Sequence, residues 1–185
     1  RLRIIAGEWR GRRLSPVGKG DRDAHLRPTS DRVRESLFSM LSHRLDFEGM
    51  RILDLFAGTG ALGLEALSRG GDEAVFVENG RKSQKLLAEN IRLLGADGRA
   101  KIMHNDVTRL GAWPNAPFDL VLLDPPYGKD LGQKALRAIL EGGWLAPDAM
   151  IVWEEASEMP VPEGLMLEDR RRYGETYITV LSAPS

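Results

Sequence analysis

The apolar run Phe118 to Leu123 leads straight into Asp124-Pro125-Pro126-Tyr127, which sets a carboxylate, two stiff residues and an aromatic ring at the end of a strand. Each proline fixes its own φ and pushes the residue before it out of the helical region, so Asp124 and Pro125 are extended and firmly aimed. The Asp124 carboxylate and the Pro125 carbonyl can then accept hydrogen bonds from one exocyclic NH2, while Tyr127 offers a π face to a stacked base. Such a group of residues grips a flat amine. The structural alternative is a strand followed by a Pro-Pro turn, with Tyr127 packed into the core.

A second motif lies upstream, where Arg51-Ile52-Leu53-Asp54-Leu55-Phe56 runs into Ala57-Gly58-Thr59-Gly60-Ala61-Leu62-Gly63. Strand, glycine turn and helix follow in that order. Glycines permit a tight turn and close approach of backbone to a ligand, and a helix starting near Ala61 directs unpaired N–H groups at it. Gly58 to Gly63 also satisfies G-x-G-x-x-G, the fingerprint of dinucleotide-dependent hydride transfer. Two features favour a different ligand. Asp54 precedes the glycines, where a carboxylate would oppose a pyrophosphate but would attract a cationic amino group such as that of S-adenosylmethionine. Hydride transfer also has no use for the Asp-Pro-Pro-Tyr grip.

These residues need a scaffold that gathers strand ends, and the hydrophobic pattern supplies one. Strands are expected at 51–56, 74–78, 100–104, 118–123 and 149–154, separated by helices near 61–69, 80–94 and 131–141 and a helical turn near 106–112. Alternation of this kind predicts an α/β fold: a mostly parallel, Rossmann-like sheet covered by helices on both faces. Leu165 to Arg172 and Thr176 to Leu181 read as an antiparallel C-terminal hairpin, the last two of seven strands. Ahead of the sheet, Thr29-Ser30-Asp31 caps a helix carrying Val33, Leu37, Phe38 and Leu41. Residues 1–28 form a small basic N-terminal extension, in which Ile4-Ile5 and Leu14 suggest a hairpin, and 29–185 form the main domain.

Ligands of such sheets bind outside the carboxyl ends of the strands. Asp54, Glu78, Asn105-Asp106 and Asp124 stand at four successive strand ends. Glu78 lies eighteen positions after Gly60, where an acid would accept hydrogen bonds from a ribose diol; the alternative is an ordinary acid at a helix start, next to Asn79. Asp106 could hold an adenine amino group or cap the following turn.

The net charge of −1 hides an asymmetry: residues 1–44 carry eleven Lys/Arg against five Asp/Glu, and residues 45–185 fifteen against twenty-two. A basic end on an acidic body suggests a bound polyanion, RNA or DNA. Arg10, Arg12 and Arg13 beside Trp9, and Arg170-Arg171-Arg172 beside Tyr173, pair guanidinium groups with aromatic rings, as phosphate contact plus stacking would require. Cysteine is absent and His25, His43 and His104 are scattered, so no metal site is expected. No apolar stretch reaches membrane-spanning length, and Arg1-Leu2-Arg3-Ile4-Ile5 lacks the apolar block of a signal peptide, so a cytoplasmic protein is expected.

Taken together, Asp54-Leu-Phe-Ala-Gly-Thr-Gly60 and Asp-Pro-Pro-Tyr127 resemble the class I S-adenosylmethionine-dependent methyltransferases that act on exocyclic amines. Arg3-Ile4-Ile5-Ala6-Gly7, Trp9-Arg-Gly-Arg-Arg-Leu14 and Arg27-Pro-Thr-Ser-Asp-Arg-Val-Arg-Glu-Ser-Leu-Phe38 narrow the resemblance to bacterial 16S ribosomal RNA guanine-N2 methyltransferases of the RsmD type, over essentially the whole chain. The resemblance implies S-adenosylmethionine as cofactor, 16S rRNA in the 30S subunit or its assembly intermediate as partner, and a monomer. It implies a catalytic set of Asp124, Pro125, Pro126 and Tyr127. Cofactor contacts follow from the first motif (Asp54, Phe56, Ala57, Gly58, Thr59, Gly60) and from Thr29, Glu78, Asn79, Asp106 and Asp124. RNA contacts are expected from Arg10, Arg12, Arg13, Arg27 and Arg170 to Arg172. The Asp-Pro-Pro-Tyr motif also suits adenine-N6, and a binding module without turnover is the remaining possibility.

Overall fold

A computed structural model describes residues 2–17 and 30–185. Five parallel strands, β1 (Arg51–Leu55), β2 (Glu73–Val77), β3 (Ala100–Met103), β4 (Phe118–Leu123) and β5 (Leu145–Glu155), join an antiparallel pair, β6 (Met166–Tyr173) and β7 (Thr176–Ser182). The seven make one sheet in the order β3-β2-β1-β4-β5-β7-β6. Among the described residues the helices are α1 (Asp31–Ser42), α2 (Ala61–Ser68), α3 (Arg81–Leu93) and α4 (Leu131–Glu141), with a one-turn 3-10 helix, Val107–Arg109. The sequence-based expectation of a Rossmann-like class I methyltransferase sheet is met. One strand is longer than expected: β5 starts at Leu145, and its register against β4 shifts between Phe118 and Leu120. Pro147 and the left-handed Asp148, with φ 62°, lie in the extra stretch, as in a bulge.

Alternation along the strands sorts the core into two layers. Ile52, Phe76, Leu122, Val152 and Val180 pack with α1, α2 and α3 on one face. Leu53, Val75, Val121, Trp153 and Leu181 pack with α4 on the other. Every residue of α2 is buried, as expected of a helix that is apolar all round. Its outer side is covered by the N-terminal segment, a small hairpin closed by Ile4 N–H to Arg12 O (2.9 Å) and Leu14 N–H to Leu2 O (3.0 Å). Leu2, Ile4, Trp9 and Leu14 are all buried in the same layer as α1 and α2. Gly7 allows this seat: its φ is +91°, and a Cβ there would lie 1.9 Å from the carbonyl oxygen of Ser68.

A buried ionic hub ties the three pieces together. The Glu65 carboxylate accepts the N–H groups of Ile5 (2.9 Å) and Ala6 (3.1 Å) and the Arg69 guanidinium (2.9 Å). Arg34 reaches Asp31 at 2.8 Å, lies 3.9 Å from Glu65 and donates to the carbonyl of Arg3. Desolvation lowers the pKa of Arg34, and Glu65 and Asp31 oppose that shift. Among the described residues no helix is long and apolar enough to cross a membrane.

Candidate active site

The carboxyl ends of the central strands are stitched together by backbone hydrogen bonds that leave the strands and enter the loops. Ala57 N–H donates to Val77 O (3.2 Å), Glu78 N–H to Met103 O (3.1 Å) and Asp124 N–H to Leu55 O at 3.5 Å. Three of the four motif-bearing strand ends thus abut one another, and the third strand's end is joined to them through Glu78. Leu55 pairs in register with Leu123, so Asp124 stands against the entry of the glycine loop. The Asp-Pro-Pro-Tyr residues lie at the lip: Pro125 is buried, while Asp124, Pro126 and Tyr127 are half-buried. A carboxylate and a ring that are neither sunk in the core nor fully solvated are placed as an amine grip requires.

The glycine loop is built under constraint. Phe56, half-buried, takes a left-handed φ of 59°, a conformation that costs a bulky residue about 1–3 kcal/mol and is found where a site over-determines the backbone. Gly58 and Gly60 follow with φ 56° and 83°, and the turn closes through Gly60 N–H to Ala57 O at 2.8 Å. A Cβ on Gly60 would come 2.4 Å from Leu87, and one on Gly63 would come 2.5 Å from Phe76. Thr59 is buried, and its carbonyl accepts the Asn90 side-chain amide at 2.9 Å. The same Asn90 holds Ser15 through Nδ2 to O (3.1 Å) and Oδ1 from N–H (2.6 Å), coupling the N-terminal segment to the loop.

Asp54 sits beneath the loop, fully buried, and its Oδ2 accepts the Gly63 N–H at 3.0 Å. Burial raises its pKa well above the ordinary value, against the pull of that N–H and with the charge of Glu78 adding to it. Its contact in this structure is therefore the start of α2. Glu78 braces two loops: Oε1 accepts Gly58 N–H (2.8 Å) and Oε2 accepts Gly80 N–H (2.9 Å). A carboxylate has about four acceptor positions, so lone pairs remain for a diol. Asp106 caps the 3-10 turn, accepting the Thr108 N–H (2.9 Å) and hydroxyl (2.8 Å). Those two bonds lower its pKa. Asn79 and Asp106 are exposed at the same edge. Thr29 and Arg27 lie outside the described residues.

The two basic clusters part company with expectation in one respect. Trp9 is buried in the core with the Arg99 guanidinium 5.1 Å from its ring centre, so it presents no face to a base. Arg10, Arg12 and Arg13 are exposed, and Arg12 donates to the carbonyl of Leu93 at the end of α3. On β6, Arg170 pairs with Glu158 and donates to Met159 O (2.6 Å). Arg171 pairs with Asp169 at 2.8 Å, and Arg172 donates to Gly174 O (2.8 Å) over the ring of Tyr177. Among the described residues no group of three His, Cys, Asp or Glu side chains is placed to hold a metal ion.

Four residues escaped the sequence reading. Arg34, Glu65 and Asn90 act through long-range pairs that no local spacing reveals. Glu154 had a usable signal: it follows the apolar run of β5, one residue before that strand ends. It is buried, and it follows Trp153 as Asp124 follows Leu123 in the paired strands.

The strand order departs from that of a dinucleotide-binding sheet. A dinucleotide-binding sheet runs 3-2-1-4-5-6 with all strands parallel, whereas here an antiparallel β7 separates β5 from β6. Residues 2–182 match the protein family described as Conserved hypothetical protein 95. The chain belongs to this family. It is an RsmD-type methyltransferase, similar to the Ribosomal RNA small subunit methyltransferase D of Escherichia coli strain K12, with 39% identity over 162 residues, 87% of this chain and 78% of that protein. The protein of the same name from Haemophilus influenzae is 37% identical over 178 residues, covering 94% and 89% of the two chains. The solved structure of Escherichia coli yhhF superposes with a TM-score of 0.82 at 34% identity, over 100% of this chain and 98% of that one.

Proposed function

We propose that this chain transfers a methyl group from S-adenosylmethionine to the exocyclic N2 of a guanine in 16S ribosomal RNA. The observation that carries the reading is the juxtaposition of Asp124-Pro-Pro-Tyr127 with the glycine loop, through Asp124 N–H to Leu55 O. Relatives that bear the name of small-subunit rRNA methyltransferases over most of their length support the substrate.

The loop suits the methyl donor. Gly58 and Gly60 give the loop its left-handed turn, Glu78 keeps acceptor capacity for a ribose diol, and the buried Asp54, whose neutral form burial favours, would regain its charge beside a cationic amino group. When bound, S-adenosylmethionine supplies an electrophilic methyl on a sulfonium sulfur and leaves as neutral S-adenosylhomocysteine.

The chain's own residues do the remaining work. A guanine N2 is a poor nucleophile because its lone pair is delocalised into the ring. Hydrogen bonds from its two N–H groups to the Asp124 carboxylate and the Pro125 carbonyl favour a pyramidal nitrogen whose lone pair faces the methyl carbon. The nitrogen gains the methyl and turns strongly acidic, and Asp124 or water takes its proton. Pro126 holds the turn stiff, and Tyr127 stacks on the base. A base inside a helix cannot reach this lip, so the target is unpaired or extruded.

Nucleoside mass spectrometry of 16S rRNA and of 30S subunits, after incubation with methyl-labelled donor, tests the reading. N2-methylguanine is expected. N6-methyladenine, which the same grip would accept, would replace the base assignment, and no label at all would leave only a binding module.

A further inference from the structure

The structure contains a groove outside the methyl-transfer lip, of about 810 Å³, between one stripe of α1 and the strand β6. We propose that this groove is the track for single-stranded RNA flanking the target base. The proposal rests on the reading of RNA as substrate.

The α1 wall repeats at helical spacing, with Arg32, Ser36, Ser39 and His43 along it, while Leu37, Phe38 and Leu41 of the same helix face the core. Arg44 continues that wall, and Arg171 with Tyr173 comes from β6. Arg44 and Arg171 share a single carboxylate, Asp169, at 2.9 and 2.8 Å. Arg32 makes no ion pair among the described residues and is exposed. Three guanidinium groups against Asp169 and the lining Glu35 leave surplus positive charge in a cleft that also offers hydroxyls and a half-exposed phenol ring. That donor set suits phosphate and sugar, with a ring for stacking. An acidic protein surface would use the charge but not the ring.

Position singles out the groove over the N-terminal cluster. Because β7 runs antiparallel to β5 and pairs Tyr177 with Glu155, the β6–β7 turn and Tyr173 lie at the carboxyl edge of the sheet, where the amine grip is. The end of α1 meets the end of α2 through Ser42 and Arg69, so the start of α1, with Arg32, is at that same edge. The groove therefore opens at the edge of the sheet that carries the catalytic lip, with β6 three strands from β4. The tip of the N-terminal hairpin is at the opposite edge: Glu8 N–H binds Ser68 O, at the last residue of α2, and the Glu8 side chain pairs with Arg99 just before β3.

The test is fluorescence anisotropy of the intact chain with a labelled, loop-containing fragment of 16S rRNA over a series of KCl concentrations, with S-adenosylhomocysteine calorimetry as a folding control. The variant Arg32→Gln/Arg44→Gln/Arg171→Gln is expected to weaken binding about tenfold and to reduce the slope of log affinity against log salt by about 2, since each lost contact to single strands removes roughly 0.7. The pair Arg10→Gln/Arg13→Gln is expected to change the slope less. If the triple variant does not bind S-adenosylhomocysteine, Arg32→Gln alone decides, with an expected slope change of about 0.7. An unchanged slope overturns the track. So does weaker binding to 30S subunits with unchanged binding to the RNA fragment, which would mark a protein-docking surface. A wild-type chain that neither binds nor methylates the RNA would overturn the functional reading and the track together, whereas methylation with an unaltered groove slope overturns the track alone.

Discussion

Asp54 is a carboxyl committed to the backbone of the glycine loop. Buried beneath the glycine loop, it holds Gly63 while its pKa is raised by desolvation. A carboxyl whose folded pKa exceeds its unfolded value contributes stability below the unfolded value, and that contribution is lost as pH climbs through the folded one. Without donor, the protein should therefore lose thermal stability as pH rises above the ordinary carboxylate range. Asp54→Asn keeps an acceptor for Gly63 and removes the titration, so its Tm should be flatter over the pH window just above the ordinary carboxylate range. S-adenosylhomocysteine, which carries a cationic amino group, should stabilise the wild type more than the variant. A wild-type Tm that rises with pH over that window would contradict the account. At the same scale, Asp124-Pro-Pro-Tyr127 was legible as a motif because its four residues are consecutive.

At the scale of elements, continuous apolar runs marked the central strands, which are buried on both faces, and helical spacing marked α1, α3 and α4, which bury one stripe. What stayed hidden was how the pieces attach. The N-terminal segment reads as a basic arm, yet Ile4, Trp9 and Leu14 are core and Gly7 presses on the last turn of α2. Its arginines dominate the sequence, and its burial depends on α2, some sixty residues away. Gly7→Ala should unseat the segment, because the added Cβ overlaps the Ser68 carbonyl and the φ is left-handed. Chemical denaturation should show a loss larger than the roughly 0.5 kcal/mol typical of surface substitutions. Glu65→Ala leaves the Ile5 and Ala6 N–H groups and the Arg69 guanidinium without their acceptor, removes one of the two carboxylates beside buried Arg34, and should cost about 3–5 kcal/mol. A loss within 0.5 kcal/mol for either variant would mean that the segment is not part of the folded core. The Arg170 to Arg172 run likewise reads as a phosphate site but also guards an edge strand, where exposed Met166 and Leu167 would otherwise invite pairing.

At the scale of the whole molecule, the sheet order concentrates function on one edge. The ends of β1, β2 and β4 supply Asp54, Glu78 and Asp124, and β7 turns the chain back so that β6 and α1 flank the same edge. Sequence spacing alone admitted both a dinucleotide and a methyl donor; the strand order, set by pairing between strands far apart in the chain, departs from the dinucleotide pattern, and such pairing leaves no local trace. Among the described residues, the exposed arginines before position 45 are divided between the N-terminal hairpin and the wall of the α1–β6 groove, while Arg34 is buried, a division that net charge cannot show. The account turns on Asp124 as the group that holds the reacting amine beside the bound donor. Its most direct test is the single-turnover methylation rate of Asp124→Ala on 16S rRNA, read beside S-adenosylhomocysteine affinity by calorimetry. The rate should fall on the order of a hundredfold or more with donor-site affinity nearly unchanged, whereas an intact rate, or an equal loss of rate and affinity, would contradict that role.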